Sequence, residues 1–163
     1  MSQYTTVFGS LASYQKGSVE IIDGSAKHYV FSNIFEVASK AKPYEKVVVG
    51  KNLEYVIETL RAEGTSRWFT CAHDEFVICM DGTVEIAFIK LDQPVPAGKE
   101  GTANAGDAPK GRKMGTIRLK RGHQALLPAG AAYQFKATSP GVLLLQTIKG
   151  ELSVEKWAEI CVQ

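Results

Sequence analysis

The hydrophobic and polar positions of this 163-residue chain change their pattern near residue 53. Before that point, residues 33–40 (NIFEVASK) predict a short helix with an asparagine at its start. The β-branched and aromatic runs 28–31 (HYVF) and 46–49 (KVVV) predict a strand on each side of this helix. Residues 1–26 are rich in serine, glycine and other small residues, and they predict a loosely structured N-terminal arm.

From residue 53 onward, short apolar runs alternate with glycine and proline turns, which predicts many short strands. The predicted strands are Tyr55–Leu60, Phe76–Met80, Val84–Leu91, Thr116–Leu119, Gln124–Leu127 and Val142–Ile148. Asp81-Gly82 lies between two of these runs and predicts a β-hairpin. The C-terminal segment SVEKWAEICVQ is compatible with a last strand or a short helix. Many short strands at turn-marked intervals indicate an all-β sandwich or small barrel.

Residues 92–114 (DQPVPAGKEGTANAGDAPKGRKM) have no hydrophobic periodicity and are rich in Gly, Pro, Ala and Lys. They predict one long loop. Loops longer than about 12–15 residues inside a compact domain are usually functional or mobile. A tolerated insertion is the other explanation, because long surface insertions cost little free energy.

Composition and charge narrow the class of protein to a cytoplasmic single domain spanning residues 1–163. Hydrophobic residues make up 45% and charged residues 22%, as in ordinary globular proteins. Nineteen basic and 17 acidic residues give a net charge of +2 without a basic cluster, which argues against nucleic-acid binding. No apolar run approaches the roughly 20 residues of a membrane span, and we expect no secretory signal. Three cysteines without CxxC spacing favour free thiols in a reducing compartment.

Two glycine-containing segments carry the strongest motif signal. The matching positions are Gly64, Glu75 and Gly82 in the first segment, and Gly122, Pro128, Gly130 and Tyr133 in the second. These segments resemble the two signature motifs of the cupin superfamily. In that family the first motif runs glycine, His-x-His, glutamate, glycine, and the second runs glycine, five residues, Pro-x-Gly, two residues, histidine. The resemblance covers about residues 53–148 and implies an all-β fold, the cupin jelly-roll barrel or sandwich, here with a short helical or irregular N-terminal arm.

Histidine is missing from the positions at which cupin enzymes hold a metal. The resemblance implies two histidines and a glutamate from the first motif and one histidine from the second, a ligand set for a divalent metal. Tyr133 occupies the second-motif position. The two first-motif positions are Phe69 and Cys71 counted back from the glutamate, or Thr70 and Ala72 counted forward from the first glycine. We therefore expect a barrel that kept its fold and lost its metal.

His73 and Glu75 nevertheless keep a second interpretation open. They are two residues apart, so on a strand their side chains share a face. Together with Tyr133 or Cys71 they could form an unorthodox metal site, since three N, O or S ligands would then converge. The preferred interpretation is that His73 and Glu75 make hydrogen bonds at the barrel mouth.

The other candidate residues each have a structural and a functional interpretation. His28 and His123 are interpreted as structural. Cys71 is interpreted as an inert buried thiol, because no histidine partner is evident from the spacing. Trp68 and Tyr133 either line a pocket for an aromatic ligand or belong to the core or an interface.

Several longer strings carry a more specific resemblance. They are YVFSNIFEVASKAKPYE, CAHDEFVICMDGTVEI, RGHQALLPAGAAYQF and GVLLLQTIKG. From about residue 28 to the end, the chain resembles the small subunit of the two-component hydroquinone 1,2-dioxygenases. The resemblance implies a larger partner that carries non-haem Fe(II) and an α2β2 heterotetramer. It also implies opening of hydroquinone to 4-hydroxymuconic semialdehyde during bacterial breakdown of 4-nitrophenol or 4-hydroxyacetophenone.

The ligand count agrees with this resemblance, because one histidine near the motifs cannot supply the two-histidine, one-carboxylate triad used to activate O2 at Fe(II). We predict a metal-free subunit without catalytic residues or a cofactor of its own, acting beside the iron-bearing partner on a phenolic substrate. Trp68 and Tyr133 are predicted to form a wall facing substrate or partner. Two alternatives stay open. One is a stand-alone metal cupin, a dioxygenase or isomerase using His73, Glu75 and Tyr133. The other is a metal-free cupin that binds a small aromatic or sugar-like ligand.

Overall fold

The computed structural model describes residues 10–13, 22–23 and 33–160. Most of the predicted arm 1–26 and the whole predicted strand 28–31, including His28, lie outside the described residues. In the described part of the arm, the backbone N–H of Leu11 donates to Asp81 Oδ2 at 2.8 Å. The Leu11 side chain packs against a small buried cluster that contains Phe35 and Val142. This contact fixes one point of the arm on the barrel.

Strands dominate the described chain, so the all-β prediction is confirmed. The elements are α1 Ile34–Lys40, β1 Lys46–Asn52, β2 Tyr55–Thr65, β3 Phe69–Thr70, β4 Glu75–Asp81, β5 Thr83–Leu91, β6 Ala103–Asn104, β7 Gly111–Lys120, β8 Gln124–Leu127, β9 Ala131–Ile148, β10 Ser153–Val154 and α2 Trp157–Ile160. Neither of these two helices has the length or the apolar character needed to cross a membrane.

Helix α1 forms where the sequence predicts it. The Asn33 side chain accepts a hydrogen bond from the backbone N–H of Phe35 at 2.9 Å, which satisfies one of the free donors at the helix start. Phe35, Val37 and Ala38 are buried, so one face of the short helix packs on the sheet. This packing compensates for a length at which an isolated helix is unstable in water.

The long strand β9 organises the sheet. Along one edge it pairs with β2, from Tyr55 opposite Ile148 to Thr65 opposite Lys136. Along the other edge, residues 142–146 pair with β4 and residues 131–136 pair with β5. Strands β1, β8 and β7 extend the sheet from β2, β4 and β5 respectively. The sheet thus curls around a core made from the inward-facing side chains of its central strands.

The predicted hairpin at Asp81-Gly82 is wrong. Strands β4 and β5 do not reverse direction there, because both run antiparallel to β9, one after the other along its length. Gly82 has a φ of 78°, and a Cβ at this position would lie 3.0 Å from the Cα of Gly141. Gly82 therefore allows the chain to bend while it continues in the same direction from β4 into β5. The long partner strand, which offers pairing to both segments, overrides the local turn signal.

The boundaries of the predicted loop 92–114 also need correction. Ala103–Asn104 forms β6 and pairs with β3, while β7 already begins at Gly111. Strand β7 is exposed along most of its length, so no alternation of apolar residues marks where it begins. Its first residue is determined by pairing with β5. Ser139-Pro-Gly141 has the composition of a turn, yet it lies within β9. The C-terminal segment contains both of the forms considered, a short strand and a short helix.

The core contains an aromatic group and a buried ion pair. Tyr44 stacks on Phe135 with ring centroids 6.0 Å apart, and Tyr133 meets Phe135 edge to face at 5.3 Å. Lys46 Nζ lies 3.3 Å from Glu58 Oε2, with both side chains at most 1% exposed. Ser153 Oγ donates to Glu58 Oε1 at 2.6 Å, so the Glu58 carboxylate joins β1, β2 and β10. Loss of either charge would leave the other buried without a partner, which strongly destabilises a folded protein.

Candidate functional site

Glu75 stands at the centre of a polar cluster inside the barrel. It is the first residue of β4 and is fully buried. The Tyr133 hydroxyl donates to its Oε2 at 2.6 Å, and the Thr102 hydroxyl donates to its Oε1 at 2.5 Å. Both carboxylate oxygens thus have a hydroxyl partner. The position is deeper than the barrel mouth predicted from the sequence.

Cys71 and His73 form a second part of the same cluster. His73 Nδ1 lies 3.0 Å from Cys71 Sγ, and the backbone N–H of Ile148 donates to His73 Nε2 at 3.2 Å. Because Nε2 accepts, the neutral ring carries its proton on Nδ1 and donates it toward the sulfur. The Cys71 thiol in turn donates to the Gly101 carbonyl at 3.2 Å. This tautomer is assigned from the hydrogen-bond partners.

The expectation that Cys71 lacks a histidine partner is wrong. The residues between β3 and β4 bend, and this bend brings side chains two positions apart into contact. The interpretation of Cys71 as an inert thiol is nevertheless supported. Burial, followed by the nearby Glu75 carboxylate, raises the pKa of the Cys71 thiol to about 11. The thiol is therefore protonated at neutral pH and is a poor nucleophile.

Tyr133 acts as a hydrogen-bond donor. Burial, and then the adjacent Glu75 carboxylate, hold the pKa of its phenol well above the ordinary value. Its ring packs against Phe69 with centroids 5.9 Å apart. The residue at the second-motif histidine position is thus 1% exposed and directed at Glu75.

The ligand atoms of Cys71, His73 and Glu75 all lie within 4.8 Å of one another. Sulfur, imidazole and carboxylate are ligands that transition metals accept. In the structure, however, His73 Nδ1 contacts Cys71 Sγ, Nε2 accepts a backbone N–H, and each carboxylate oxygen of Glu75 accepts a hydroxyl. Coordination through Nδ1 would move the proton to Nε2, which faces the Ile148 N–H at 3.2 Å and the Thr147 hydroxyl oxygen, a possible acceptor, at 3.1 Å. Cys71, His73 and Glu75 thus form a candidate metal site whose ligand atoms are also hydrogen-bonded within the chain.

The remaining predicted residues are separated from this cluster. Trp68 is half-buried just before β3, and its carbonyl accepts the Ala105 N–H at 2.8 Å. Ala105 also lines a groove of about 460 Å³ with Asn104 and Lys110. His123 lies in the turn between β7 and β8, where its Nδ1 accepts the Lys120 N–H at 3.2 Å, which supports its structural interpretation. Thr102 was missed by sequence reasoning, since a threonine in a glycine-rich segment carries no signal for a buried contact.

The opposite side of the sheet carries an apolar surface that we call the outer apolar face. It consists of Tyr55, Ile57, Phe76, Ile78, Gln124, Leu126, Leu144 and Gln146. Four of them stand directly beside one another in one row across four strands, in the order Ile57, Gln146, Phe76 and Leu126. Phe76 is 42% and Leu126 45% exposed. Sequence reasoning took these residues as parts of strands and did not predict that they share an exposed face.

Comparison with solved structures identifies the class of protein. A cupin-2 domain protein from Shewanella frigidimarina shares the fold, with a TM-score of 0.50 and 20% identity over 70% of this chain and 89% of that chain. Hydroquinone 1,2-dioxygenase PnpCD, solved with Cd²⁺ and 4-hydroxybenzonitrile, contains a much more similar chain. That chain has a TM-score of 0.92 and 65% identity, over 99% of this chain and 98% of its own length.

Hydroquinone 1,2-dioxygenase from Sphingomonas sp. TTNP3, solved with 4-hydroxybenzoate, gives a TM-score of 0.92 and 57% identity over 99% of both chains. The chain therefore belongs to the hydroquinone 1,2-dioxygenase family, and the predicted resemblance is confirmed. A longer chain of PnpCD, of which this one covers 39%, shares only the fold, at 14% identity and a TM-score of 0.63. No protein-family model matches the chain, and no curated protein matches it.

Proposed function

We propose that this chain is the metal-free small subunit of an Fe(II)-dependent hydroquinone 1,2-dioxygenase. The complete enzyme opens hydroquinone to 4-hydroxymuconic semialdehyde and acts in the cytoplasm, in the breakdown of phenols such as 4-nitrophenol. The larger subunit holds the iron, and two copies of each subunit form an α2β2 heterotetramer. The iron supplies the site at which the phenol and O2 react.

The observation that carries the metal-free role is the closed hydrogen-bond network around Glu75. Glu75 and Tyr133, which stand at two of the cupin ligand positions, are hydrogen-bonded to each other, and Thr102 donates to the second oxygen of Glu75. The two hydroxyl bonds to Glu75 lie in the buried interior, where an unpaired polar group is costly. A metal bound by Glu75 would have to displace at least one of them.

Family membership supports the enzymatic context. The similar chains come from hydroquinone 1,2-dioxygenases, and PnpCD has been solved with Cd²⁺ and with Fe³⁺. PnpCD also contains the longer chain with the same fold. In this proposal the longer chain supplies the metal ligands that the present chain lacks.

Within this proposal the polar cluster is a scaffold. Glu75 links the start of β4 to Tyr133 on β9 and to Thr102 before β6, so three segments that are distant in sequence are held together where a metal would otherwise hold them. Tyr133, which is 1% exposed, belongs to this scaffold. Trp68, half-buried beside the groove at Ala105, is the residue that faces substrate or partner.

The test is the metal content of the chain expressed alone in iron-rich medium and co-expressed with the longer chain of PnpCD, measured by elemental mass spectrometry. We expect metal only in the complex, together with hydroquinone-dependent O2 uptake. Stoichiometric metal in the isolated chain, lost in the matched variants His73→Gln and Glu75→Gln, would overturn the metal-free role.

A stand-alone metal cupin is the second candidate function, because the three ligand atoms of Cys71, His73 and Glu75 lie so close together. It requires the isolated chain to bind metal and to turn over substrate without a partner. Cys71→Ser would then change the metal affinity. Under the preferred proposal the same substitution leaves activity of the complex unchanged.

The role of Trp68 has its own test. We expect Trp68→Ala to lower assembly or turnover of the co-expressed complex, while Trp68→Phe, which keeps an aromatic ring, retains most of both. Unchanged complex mass and unchanged turnover in Trp68→Ala would remove this residue from the proposal.

A further inference from the structure

One short segment runs alongside the backbone of Trp68 and the residues that follow it. It consists of residues 101–105, in the middle of the glycine-rich stretch 92–114, and we call it the clamp segment. Its last residue, Ala105, donates its backbone N–H to the Trp68 carbonyl at 2.8 Å. Strand β6, which forms its third and fourth residues, pairs with β3 directly after Trp68.

The first two residues of the clamp segment connect it to the buried polar cluster. The Gly101 carbonyl accepts the Cys71 thiol at 3.2 Å, and the Thr102 hydroxyl donates to Glu75 Oε1 at 2.5 Å. Gly101 and Thr102 are both buried. One end of the clamp segment is therefore fixed in the barrel interior, and its other end reaches Trp68.

Two glycines pack the start of the clamp segment against the C-terminal part of the chain. Gly101 has a φ of 70°, and a Cβ at this position would lie 2.5 Å from the Cα of Gly150. A Cβ at Gly150 would lie 2.8 Å from the Gly101 Cα and 2.8 Å from the Glu100 carbonyl oxygen. Glycine permits two backbones to approach this closely because it has no Cβ. Gly150 follows the end of β9, so the clamp segment rests on the strand that organises the sheet.

The backbone of Trp68 depends on the clamp segment because its other supports are short. Strand β3 has only two residues, and they pair with β9 on the edge opposite to β6. Two positions before Trp68, the Ser66 N–H donates to the Phe135 carbonyl of β9 at 2.9 Å. Trp68 lies between these two anchors, where the hydrogen bond from Ala105 fixes its peptide group.

The clamp segment also forms part of the groove beside Trp68. Asn104 and Ala105 line this groove of about 460 Å³ together with Thr70 of β3. A shift of the clamp segment would therefore move the Trp68 backbone and one wall of the groove together. A displacement of about 1 Å at a group that positions a substrate can lower activity about 100-fold.

We propose that Gly150 is a positioning residue for Trp68. Its backbone contact with Gly101 sets the clamp segment, and the clamp segment sets where Trp68 stands toward the substrate. This inference rests on the proposed function, in which Trp68 faces substrate or partner. It gives residues 101–105 of the glycine-rich stretch a defined part in the activity of the complex.

The experiment measures kcat and KM for hydroquinone in the complex of this chain with the longer chain of PnpCD. Gly150→Ala adds a methyl group against Gly101. Ala105→Pro is a second variant that removes the N–H donor to Trp68 and leaves the glycine contact in place. Asn104, which precedes it, already has the strand conformation that a following proline favours.

Gly98→Ala is the matched control within the same stretch. A Cβ at Gly98 would meet no atom of the described residues within 4 Å, apart from its chain neighbours. Circular dichroism and the thermal midpoint of each isolated variant verify folding. If Gly150→Ala does not fold, Ala105→Pro decides the proposal by the same criteria.

Each variant is made in the unmodified chain and in Trp68→Ala, because a residue that acts through Trp68 loses its effect when the indole is absent. In the unmodified chain we expect Gly150→Ala and Ala105→Pro to lower kcat/KM about 10-fold, mainly by raising KM. In the Trp68→Ala chain they should change it by less than about 2-fold. Gly98→Ala should leave kcat/KM unchanged in both.

A second measurement follows Trp68 directly. The chain has two tryptophans, so in a Trp157→Phe background the fluorescence of the isolated chain comes from Trp68 alone. We expect Gly150→Ala to shift the emission maximum and to change acrylamide quenching, at an unchanged thermal midpoint. Gly98→Ala should change neither signal.

Equal losses of kcat/KM in the two backgrounds would show a purely structural role for Gly150 and overturn the proposal, while the proposed function stays intact. A folded Gly150→Ala variant with unchanged kcat/KM and unchanged Trp68 fluorescence would do the same. If Trp68→Ala by itself leaves kcat/KM unchanged, the proposal is wrong, and Trp68 has no part at the substrate. The metal-free role is then still decided separately by the metal content of the chain.

Discussion

Two regions of this barrel reverse the usual distribution of polar and apolar groups. The interior cluster around Glu75 is polar, fully buried and internally hydrogen-bonded. The outer apolar face, on the same strands, is partly exposed and carries no charge. Strand β4 contributes to both regions through neighbouring residues, Glu75 facing inward and Phe76 facing outward.

The difference between the two regions indicates where the chain makes its contacts. Inside, every candidate metal ligand already has a partner, so the cluster is suited to holding the barrel together. Outside, the apolar side chains are partly exposed. Substitutions in the interior should therefore change stability much more than substitutions on the face.

The largest effect on stability is expected from the interior ion pair. Lys46→Met leaves the Glu58 carboxylate buried without its cation, which should lower the free energy of unfolding by about 3–5 kcal/mol. Urea unfolding of the isolated chain measures it. The double variant Lys46→Met/Glu58→Gln should be more stable than Lys46→Met, because the uncompensated charge is gone. A double variant as unstable as the sum of its single changes would contradict this explanation.

Removal of the central carboxyl group should come next. Glu75→Ala leaves the Tyr133 and Thr102 hydroxyls without an acceptor, and each unsatisfied group costs about 1–3 kcal/mol. We expect a loss of about 3 kcal/mol in thermal or urea unfolding. Glu75→Gln keeps an acceptor oxygen and should lose clearly less. Equal losses in the two variants would show that charge, rather than hydrogen bonding, stabilises the cluster.

The raised pKa of Cys71 predicts slow chemical modification. With a pKa of about 11 in place of 9.0, the thiolate fraction at pH 8 falls about 100-fold. Alkylation of Cys71 followed by peptide mass mapping should be slower than in the urea-unfolded chain by at least that factor, since burial also limits access. The rate should rise with pH until it approaches pH 11. Rapid labelling at pH 7 would contradict the assignment of a neutral thiol beside a neutral histidine.

The smallest change in stability is expected on the outer apolar face. Phe76→Ser and Ile57→Ser in the isolated chain should shift the free energy of unfolding by only about 0.5 kcal/mol or less, as is usual at exposed positions. The contrast between this small change and the loss in Glu75→Ala separates the two regions. A loss of several kcal/mol would mean that the face stabilises the barrel itself.

Local sequence signals were sufficient where one stretch of chain decides its own structure. Asn33 and the apolar spacing that follows it define α1, and the apolar runs define the cores of most strands. The glycine and proline spacing of the two motifs identified the cupin class. The histidine count raised the question of the missing metal ligands before any geometry was known.

Other features depend on contacts between residues that are far apart in the chain, and no local sequence pattern predicts these contacts. Asp81-Gly82 has the composition of a hairpin turn, yet it bends a continuing strand because β9 is long enough to pair on both sides of the bend. Thr102 reaches Glu75 across 27 positions, and Ile148 determines the tautomer of His73 across 75. Pattern and composition were enough to predict the strand content, the class of fold and the scarcity of histidine ligands. The hydrogen-bond partners of Cys71, His73 and Glu75, and the single exposed face shared by four strands, depend on the folded sheet, since side chains distant in the chain become neighbours only when the sheet closes.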